Sequence, residues 1–151
     1  MAASTVLLSF SDNPVFRLYA TYASAVVLKM TFLAFRTGRL RMGRKVFINL
    51  EDANGKKELV RRDDDIERVR RCHRNDLENI PAFLVLGLLY VLTGPSVFAA
   101  TWHFRAFVAS RFFHTVAYLT PLPQPARGFS FMIGMVTNIS MAVQVLMNGQ
   151  L

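Results

Sequence analysis

The sequence predicts an all-α membrane protein, a bundle of four transmembrane helices in up-down topology. Three observations carry this reading. The chain has 151 residues, room for one domain, yet 52% of them are hydrophobic and only 19% charged, an apolar surplus too large for one small soluble core. Residues 79–104 and 128–147 contain no charged side chain, whereas a surface helix of a soluble protein keeps one face polar along its length. The charge is instead concentrated: 13 of the 18 Lys and Arg, and 7 of the 10 Asp and Glu, lie between Arg36 and Arg74. This composition excludes a disordered chain, a collagen-like chain and a disulfide-stapled miniprotein.

About 20 apolar residues cross a bilayer. The first span is residues 15–35, with Arg17 near one end and Lys29 inside. Residues 79–93 are apolar but too few, so the second helix extends backward into the charged stretch and occupies about 67–93, ending at the turn Gly94-Pro95-Ser96. The third span is 97–119. The segment Thr120-Pro121-Leu122-Pro123-Gln124-Pro125 cannot be helix interior, because proline lacks the N–H and clashes with the preceding turn. The fourth span is 127–147. No β alternation, internal repeat or low-complexity run is evident. Met1–Phe10 has no basic leader region, so a cleavable signal is not expected and the first span anchors itself.

Excess Lys and Arg mark the cytoplasmic side. The loop 36–66 and the Pro-rich loop are therefore placed in the cytosol, with both termini across the membrane. The basic loop reads as a solvated connector or as a segment resting on anionic lipid. A net charge of +8 would ordinarily suggest nucleic acid. That partner is excluded, because the bases are interleaved with acids and flanked by spans.

Ionisable groups at membrane depth are expensive and by default functional. On the second helix Arg71, Arg74, Asn75 and Glu78 stand at i, i+3, i+4 and i+7, one face of a helix, with Glu67–Arg71 and Arg74–Glu78 spaced to pair. On the third, Arg111, His114, Thr115 and Tyr118 repeat the spacing, and Arg127 begins the fourth. Up-down topology brings these three helix ends to one membrane face, so the stripes are expected to converge. Guanidiniums suit carboxylates, Glu78 suits an ammonium, and Asn75 and Tyr118 supply hydrogen bonds. The set fits a small zwitterion with more carboxylates than amines. It equally fits a salt-bridge network holding the bundle together.

Other residues have plainer readings. Lys29 is expected to pair with Asp76 or Glu78. Arg111 either pairs with Glu78 or Asp76 or faces a ligand. Cys72, the only cysteine, is a small buried residue or, beside Arg71, a reactive one, and it can form no intramolecular disulfide. His73 reads as structural and His103 as interfacial, and none of the three histidines has the spacing of a metal site. Ser130 and Gly134 give a small-xxx-small hint of close packing. The methionines at 132, 135, 141 and 147 read as packing residues.

The run Glu67-Arg68-Val69-Arg70-Arg71-Cys72-His73-Arg74-Asn75-Asp76-Leu77-Glu78-Asn79-Ile80 resembles the signature of the MAPEG superfamily, the membrane-associated proteins of eicosanoid and glutathione metabolism. The run from Arg111 to Pro125, and Arg44-Lys45-Val46-Phe47 followed by Asn49 and Glu51-Asp52, are similar to its glutathione-transferase branch. The resemblance covers the chain from Val15 to Met147. It implies a four-span protomer assembling as a homotrimer, with glutathione as co-substrate, no metal, and glutathione held between subunits. By motif, Arg71, Arg74, Asn75, Glu78, His114 and Tyr118 would bind glutathione, Arg41 would assist, and Arg127 would stabilise the thiolate. It implies an enzyme that conjugates the thiolate to lipophilic electrophiles and reduces lipid hydroperoxides. It also implies residence in the endoplasmic reticulum membrane and the mitochondrial outer membrane.

Departures from the pattern sharpen these expectations. Ala53 stands where the branch has a stress-sensing cysteine, so activation by thiol modification there should be missing. Cys72 replaces the usual alanine, so catalysis should not need it. Gly128 and Phe131 replace a serine and a tyrosine of the prostaglandin E synthase branch, which favours the transferase. His73-Arg74-Asn75-Asp76, however, reads like that synthase branch, which keeps a glutathione-dependent isomerase as an alternative. A non-catalytic lipid-binding scaffold is a third reading; it would be expected to have lost the thiol-binding set that is retained here.

Overall fold

A computed structural model describes residues 8–149. Residues 1–7, which carry part of the expectation that no cleavable signal is present, lie outside the described residues. Four helices follow one another: α1 Pro14–Arg44, α2 Asp64–Leu92, α3 Val97–Leu119 and α4 Ala126–Asn148, with a short 3-10 turn at Lys57–Leu59. Among the described residues the only extended pairing is one isolated bridge between Phe47 and Val60.

Three of the four helices begin where the sequence offers a capping side chain; α4 follows Pro125 with none. The Asn13 side chain accepts from the amides of Val15 and Phe16, and Pro14 takes the first position, where its missing N–H costs nothing. Asp63 accepts from Asp65 and Ile66, and Asp64, Asp65 and Glu67 fill the first turn of α2, favourably placed against the positive end of the helix dipole. Ser96 caps α3 after Gly94 turns the chain at φ +68°. Pro81 lies inside α2 without ending it, a tolerance found where a helix is embedded among others.

The first helix corrects the expected boundary. It continues nine residues beyond Phe35 to Arg44, so the segment expected as loop from residue 36 is helical for its first turns. Arg, Leu and Met are good helix formers, and Arg41 and Arg44 occupy the last turn, where cations complement the dipole. Arg44 then donates to both oxygens of Asp63, at 2.7 and 2.8 Å, and to Asp65 at 2.7 Å. These contacts tie the end of α1 to the start of α2.

The residue pairings give the topology. Going up α1, Tyr19 meets Leu84, Lys29 meets Asp76 and Arg44 meets Asp63, so α1 and α2 are antiparallel. Phe83 stacks on Phe107, 4.1 Å between ring centroids and nearly parallel, and Tyr90 meets His103, so α3 runs against α2. His103 bonds Ser140 while Arg127 lies over Tyr118, so α4 runs against α3. The core is a column of rings, Tyr19, Phe83, Phe104, Phe107 and Tyr90. Gly87 makes room for it: a Cβ there would sit 2.9 Å from the Tyr19 ring.

Three helices, α1, α2 and α4, are long and apolar enough to cross a membrane. The expected third span is a helix with the expected ends, about 34 Å long at 1.5 Å per residue, but it is not among the three. His103, Arg105, Arg111 and His114 lower its hydropathy. Two of these groups find partners along the bundle: Arg105 donates to the Tyr22 hydroxyl at 2.9 Å, and His103 bonds Ser140 and the Ala99 carbonyl. Met141 is buried, whereas Met147 is 80% exposed and Met132 is also exposed, so the methionines are not uniformly packing residues.

Candidate functional site

Three helices each contribute one buried ionic side chain at the same level: Lys29 from α1, Asp76 from α2 and Arg111 from α3. The Lys29 ammonium lies 2.8 Å from the Asp76 carboxylate and also donates to the Arg111 carbonyl at 3.0 Å and the Thr115 hydroxyl at 2.7 Å. Of the two acids expected for Lys29, the partner is Asp76. Arg111 Nη2 donates to Asn75 Oδ1 at 2.5 Å, reaches Asp76 Oδ1 at 3.3 Å and lies 3.1 Å from His114 Nδ1. Arg111 has no exposed surface. Buried charges persist only when paired and hydrogen-bonded; drawing on three helices gives each charge here a counter-charge, while Arg111 Nε and Nη1 are buried with no hydrogen-bond partner among the described residues. Gly134 of α4 closes over it: a Cβ there would lie 3.1 Å from Ser110 Oγ and 3.7 Å from Arg111 Cδ.

Next to the cluster, toward the Pro-rich loop, lies an open recess of about 310 Å³ lined by Asn75, His114, Tyr118, Gln124, Arg127, Gly128 and Phe131. Asn75 and His114 are fixed by Arg111 from behind. The Arg127 guanidinium sits 5.1 Å over the Tyr118 ring, a cation–π placement that orients it, and its Nε is buried with no hydrogen-bond partner among the described residues. Arg127 belongs to the first turn of α4, where free backbone amides add to the positive potential. The recess therefore combines a guanidinium, a helix N-terminus, a phenol, an imidazole and an amide, a set suited to an anion with hydrogen-bonding appendages.

The structure places the candidate residues in three groups. Asn75, His114, Tyr118 and Arg127 share the recess. Arg41 and Arg74 line a separate hollow of about 440 Å³ between α1 and α2, together with Arg70 and His73. Arg71 and Glu78 are exposed on α2 and line neither. The expected convergence of two whole stripes is thus corrected for the single chain. The inward face of α2 is the row Val69, Cys72, Asp76, Ile80 and Phe83, and at 100° per residue only Asn75 borders it toward α3. The expected pairings along α2 are corrected too. Glu67 takes Arg70 at 2.6 Å, one turn position short of Arg71. Arg74 and Glu78 make no ion pair among the described residues. Cys72 is buried, 3.8 Å from Thr115 Oγ. Gln124 was not anticipated in the recess. The signal for it was its place as the last polar side chain before the unsatisfied amides of α4, and its Oε1 accepts from the Gly128 amide at 3.4 Å.

Comparison with known proteins matches this sequence to one family. The MAPEG family model covers residues 19–147. Microsomal glutathione S-transferase 1 of Sus scrofa is 49% identical over 146 residues, spanning 93% of this chain and 94% of that protein. The Homo sapiens protein of the same name is 50% identical over 141 residues, spanning 89% and 91%. Prostaglandin E synthase of Homo sapiens is 40% identical over 148 residues, spanning 97% and 95%. With the family model spanning most of the sequence and relatives of such similarity along almost its whole length, the chain belongs to the MAPEG family.

Proposed function

We propose that this chain is a multi-pass membrane glutathione transferase that conjugates glutathione to lipophilic electrophiles. The observation that carries the reading is the recess in which Arg127, oriented by the Tyr118 ring, stands at the N-terminus of α4 beside His114 and Asn75. Similarity to proteins named microsomal glutathione S-transferase 1 supports the same reading.

The chemistry asks for one thing, a thiolate at neutral pH. A free thiol ionises near pH 8.5, so lowering it by about two units, roughly 2.7 kcal/mol, leaves most of the bound thiol ionised. Arg127 supplies this stabilisation, with help from the α4 amides. His114, Asn75 and Tyr118 hold the peptide body. The thiolate attacks the electrophilic carbon, the S–C bond forms, and the leaving group departs with its electron pair. No metal and no protein nucleophile enter. The same thiolate attacks the distal oxygen of a lipid hydroperoxide, forming an S–O bond as the O–O bond breaks; the lipid alkoxide leaves and takes up a proton, and a second glutathione attacks the resulting sulfenic acid to give the disulfide and water.

All four helices cross the membrane in this proposal. The basic loop and the recess face the cytosol, and the protein resides in the endoplasmic reticulum membrane and the mitochondrial outer membrane. The active assembly is a homotrimer. Exposure of Arg71, Arg74 and Glu78 on α2 supports that: these charged groups reach glutathione bound at a subunit boundary, with Arg41, which lines the same hollow as Arg74, as a lesser contributor. Isomerase chemistry of the prostaglandin E synthase type is the weaker reading, since Gly128 and Phe131 leave that side of the recess without a hydroxyl.

Titrating glutathione into the detergent-purified protein while following thiolate absorbance tests the proposal. Thiolate should appear on binding, and an apolar aryl halide should consume it with formation of the thioether. Absence of both signals would overturn the transferase reading, and turnover of a prostaglandin endoperoxide alone would favour the isomerase.

A further inference from the structure

The outer face of α1 carries a second feature, unrelated to the recess. Leu28, Phe32, Phe35 and Arg39 follow one another at helical spacing on one face, with Arg36 at its edge. The three apolar members are 70, 55 and 68% exposed. At the basic end of this row a groove of about 360 Å³ is lined by Phe32, Phe35, Arg36, Arg39, Leu40, Gly43 and Arg44. Of its three guanidiniums, that of Arg44 is engaged by Asp63 and Asp65. Arg36 and Arg39 have no ion pair or hydrogen bond among the described residues, and no carboxylate lines the groove.

Its depth along the helix is informative. From Val15 to Phe35 is 20 residue steps, about 30 Å of α-helix, which matches the roughly 30 Å hydrocarbon core of a bilayer. Arg36 and Arg39 therefore follow the apolar run by about 1.5 and 6 Å, the level at which lipid phosphates lie. Two unpaired guanidiniums at phosphate depth, above two exposed aromatic rings at acyl depth, complement one class of molecule. The subunit contacts proposed above fall on α2 and on Arg41, which stands about 200° around α1 from Arg39 and lines a different hollow, so this groove is left to lipid.

We propose that this groove holds an anionic phospholipid, its phosphate on Arg36 and Arg39 and its acyl chains along Phe32, Phe35 and Leu28. The site is independent of the transferase reading, since neither arginine lines the recess. Native mass spectrometry of the full chain in neutral detergent, with phosphatidylserine and phosphatidylcholine offered together, tests it. Wild type should retain one phosphatidylserine in preference. The double variant R36Q/R39Q should lose that retention about 30-fold, two basic residues each contributing about fivefold near anionic lipid, with unchanged glutathione binding and unchanged melting temperature. R61Q/R62Q removes the same charge from a recess shared with Glu67 and should bind like wild type. Equal loss in both variants, or no lipid preference in wild type, would overturn the site. A photoreactive phenylalanine analogue at position 35, illuminated in phosphatidylserine nanodiscs, should form a lipid adduct; a crosslink to a second chain instead would place protein in the groove and overturn the proposal.

Discussion

Arg111 and Arg127 stand at the same end of the bundle and differ in almost everything else. Arg111 is wholly buried, with Nη2 shared among Asn75, Asp76 and His114. Arg127 is half-buried, rests on the Tyr118 ring and lines an open recess. The contrast separates two uses of a guanidinium near a membrane. Where a carboxylate on another helix meets it, the charge joins helices and fixes the rotation of each about its own axis. Where an aromatic face supports it without neutralising it, the positive potential remains available to a ligand. Asn75 and His114 join the two regions, since both are held by Arg111 and both line the recess.

The comparison breaks most severely at the shared carboxylate. Asp76→Ala leaves Lys29 and Arg111 buried without a counter-charge, and removing one partner of such a cluster costs about 3–5 kcal/mol. Thermal unfolding in detergent should show a large loss of stability, and the recess should lose its affinity for glutathione with it. Arg127→Ala should do the opposite: a melting temperature close to wild type, but a fall of about 100-fold in kcat/KM, the equivalent of two units of thiol ionisation, read together with the loss of thiolate absorbance. If that variant ionises bound glutathione as fully as wild type, the division of labour between the two arginines is wrong.

Smaller effects sharpen the picture. Gly134→Ala pushes a methyl to within 3.1 Å of Ser110 Oγ and should destabilise by about 1–3 kcal/mol, as overpacking does. Gly87→Ala, whose methyl would meet the Tyr19 ring at 2.9 Å, should cost a similar amount while leaving thiolate formation intact, because it lies in the ring column rather than behind the recess. The smallest effect concerns the Arg44–Asp63 contact. Hydrogen bonds from Arg44 and the Ile66 amide hold the Asp63 carboxyl below its ordinary value of 3.8. Its folded pKa is depressed, so its stabilisation is fully present above pH 3.8 and disappears as pH falls through the lower folded value. Asp63→Asn should remove that part of the acid dependence and leave the melting temperature at neutral pH nearly unchanged, as expected for an exposed pair.

Much of this was legible without coordinates. The Pro-rich run after Leu119 and the Gly94-Pro95 turn announce helix ends, and Lys29 inside an apolar stretch announces an acid elsewhere. The length of α1 was not legible, because a run of basic residues reads as loop when the boundary sought is that of the membrane rather than of the helix. Nor was the division of the arginines. Arg71, Arg74 and Arg111 look alike in sequence, each at helical spacing from polar neighbours, yet only Arg111 faces inward.

What the residue order determined by itself is the number of helices, their approximate ends and the polar groups that must be accommodated, since proline geometry, capping side chains and uncharged runs act locally. What only the packed bundle decided is which of those groups meet. A helix turns 100° per residue, so a small rotation about its axis exchanges an inward Asp76 for an outward Leu77, and that rotation is set by contacts with three other helices rather than by any residue's own neighbours in the chain.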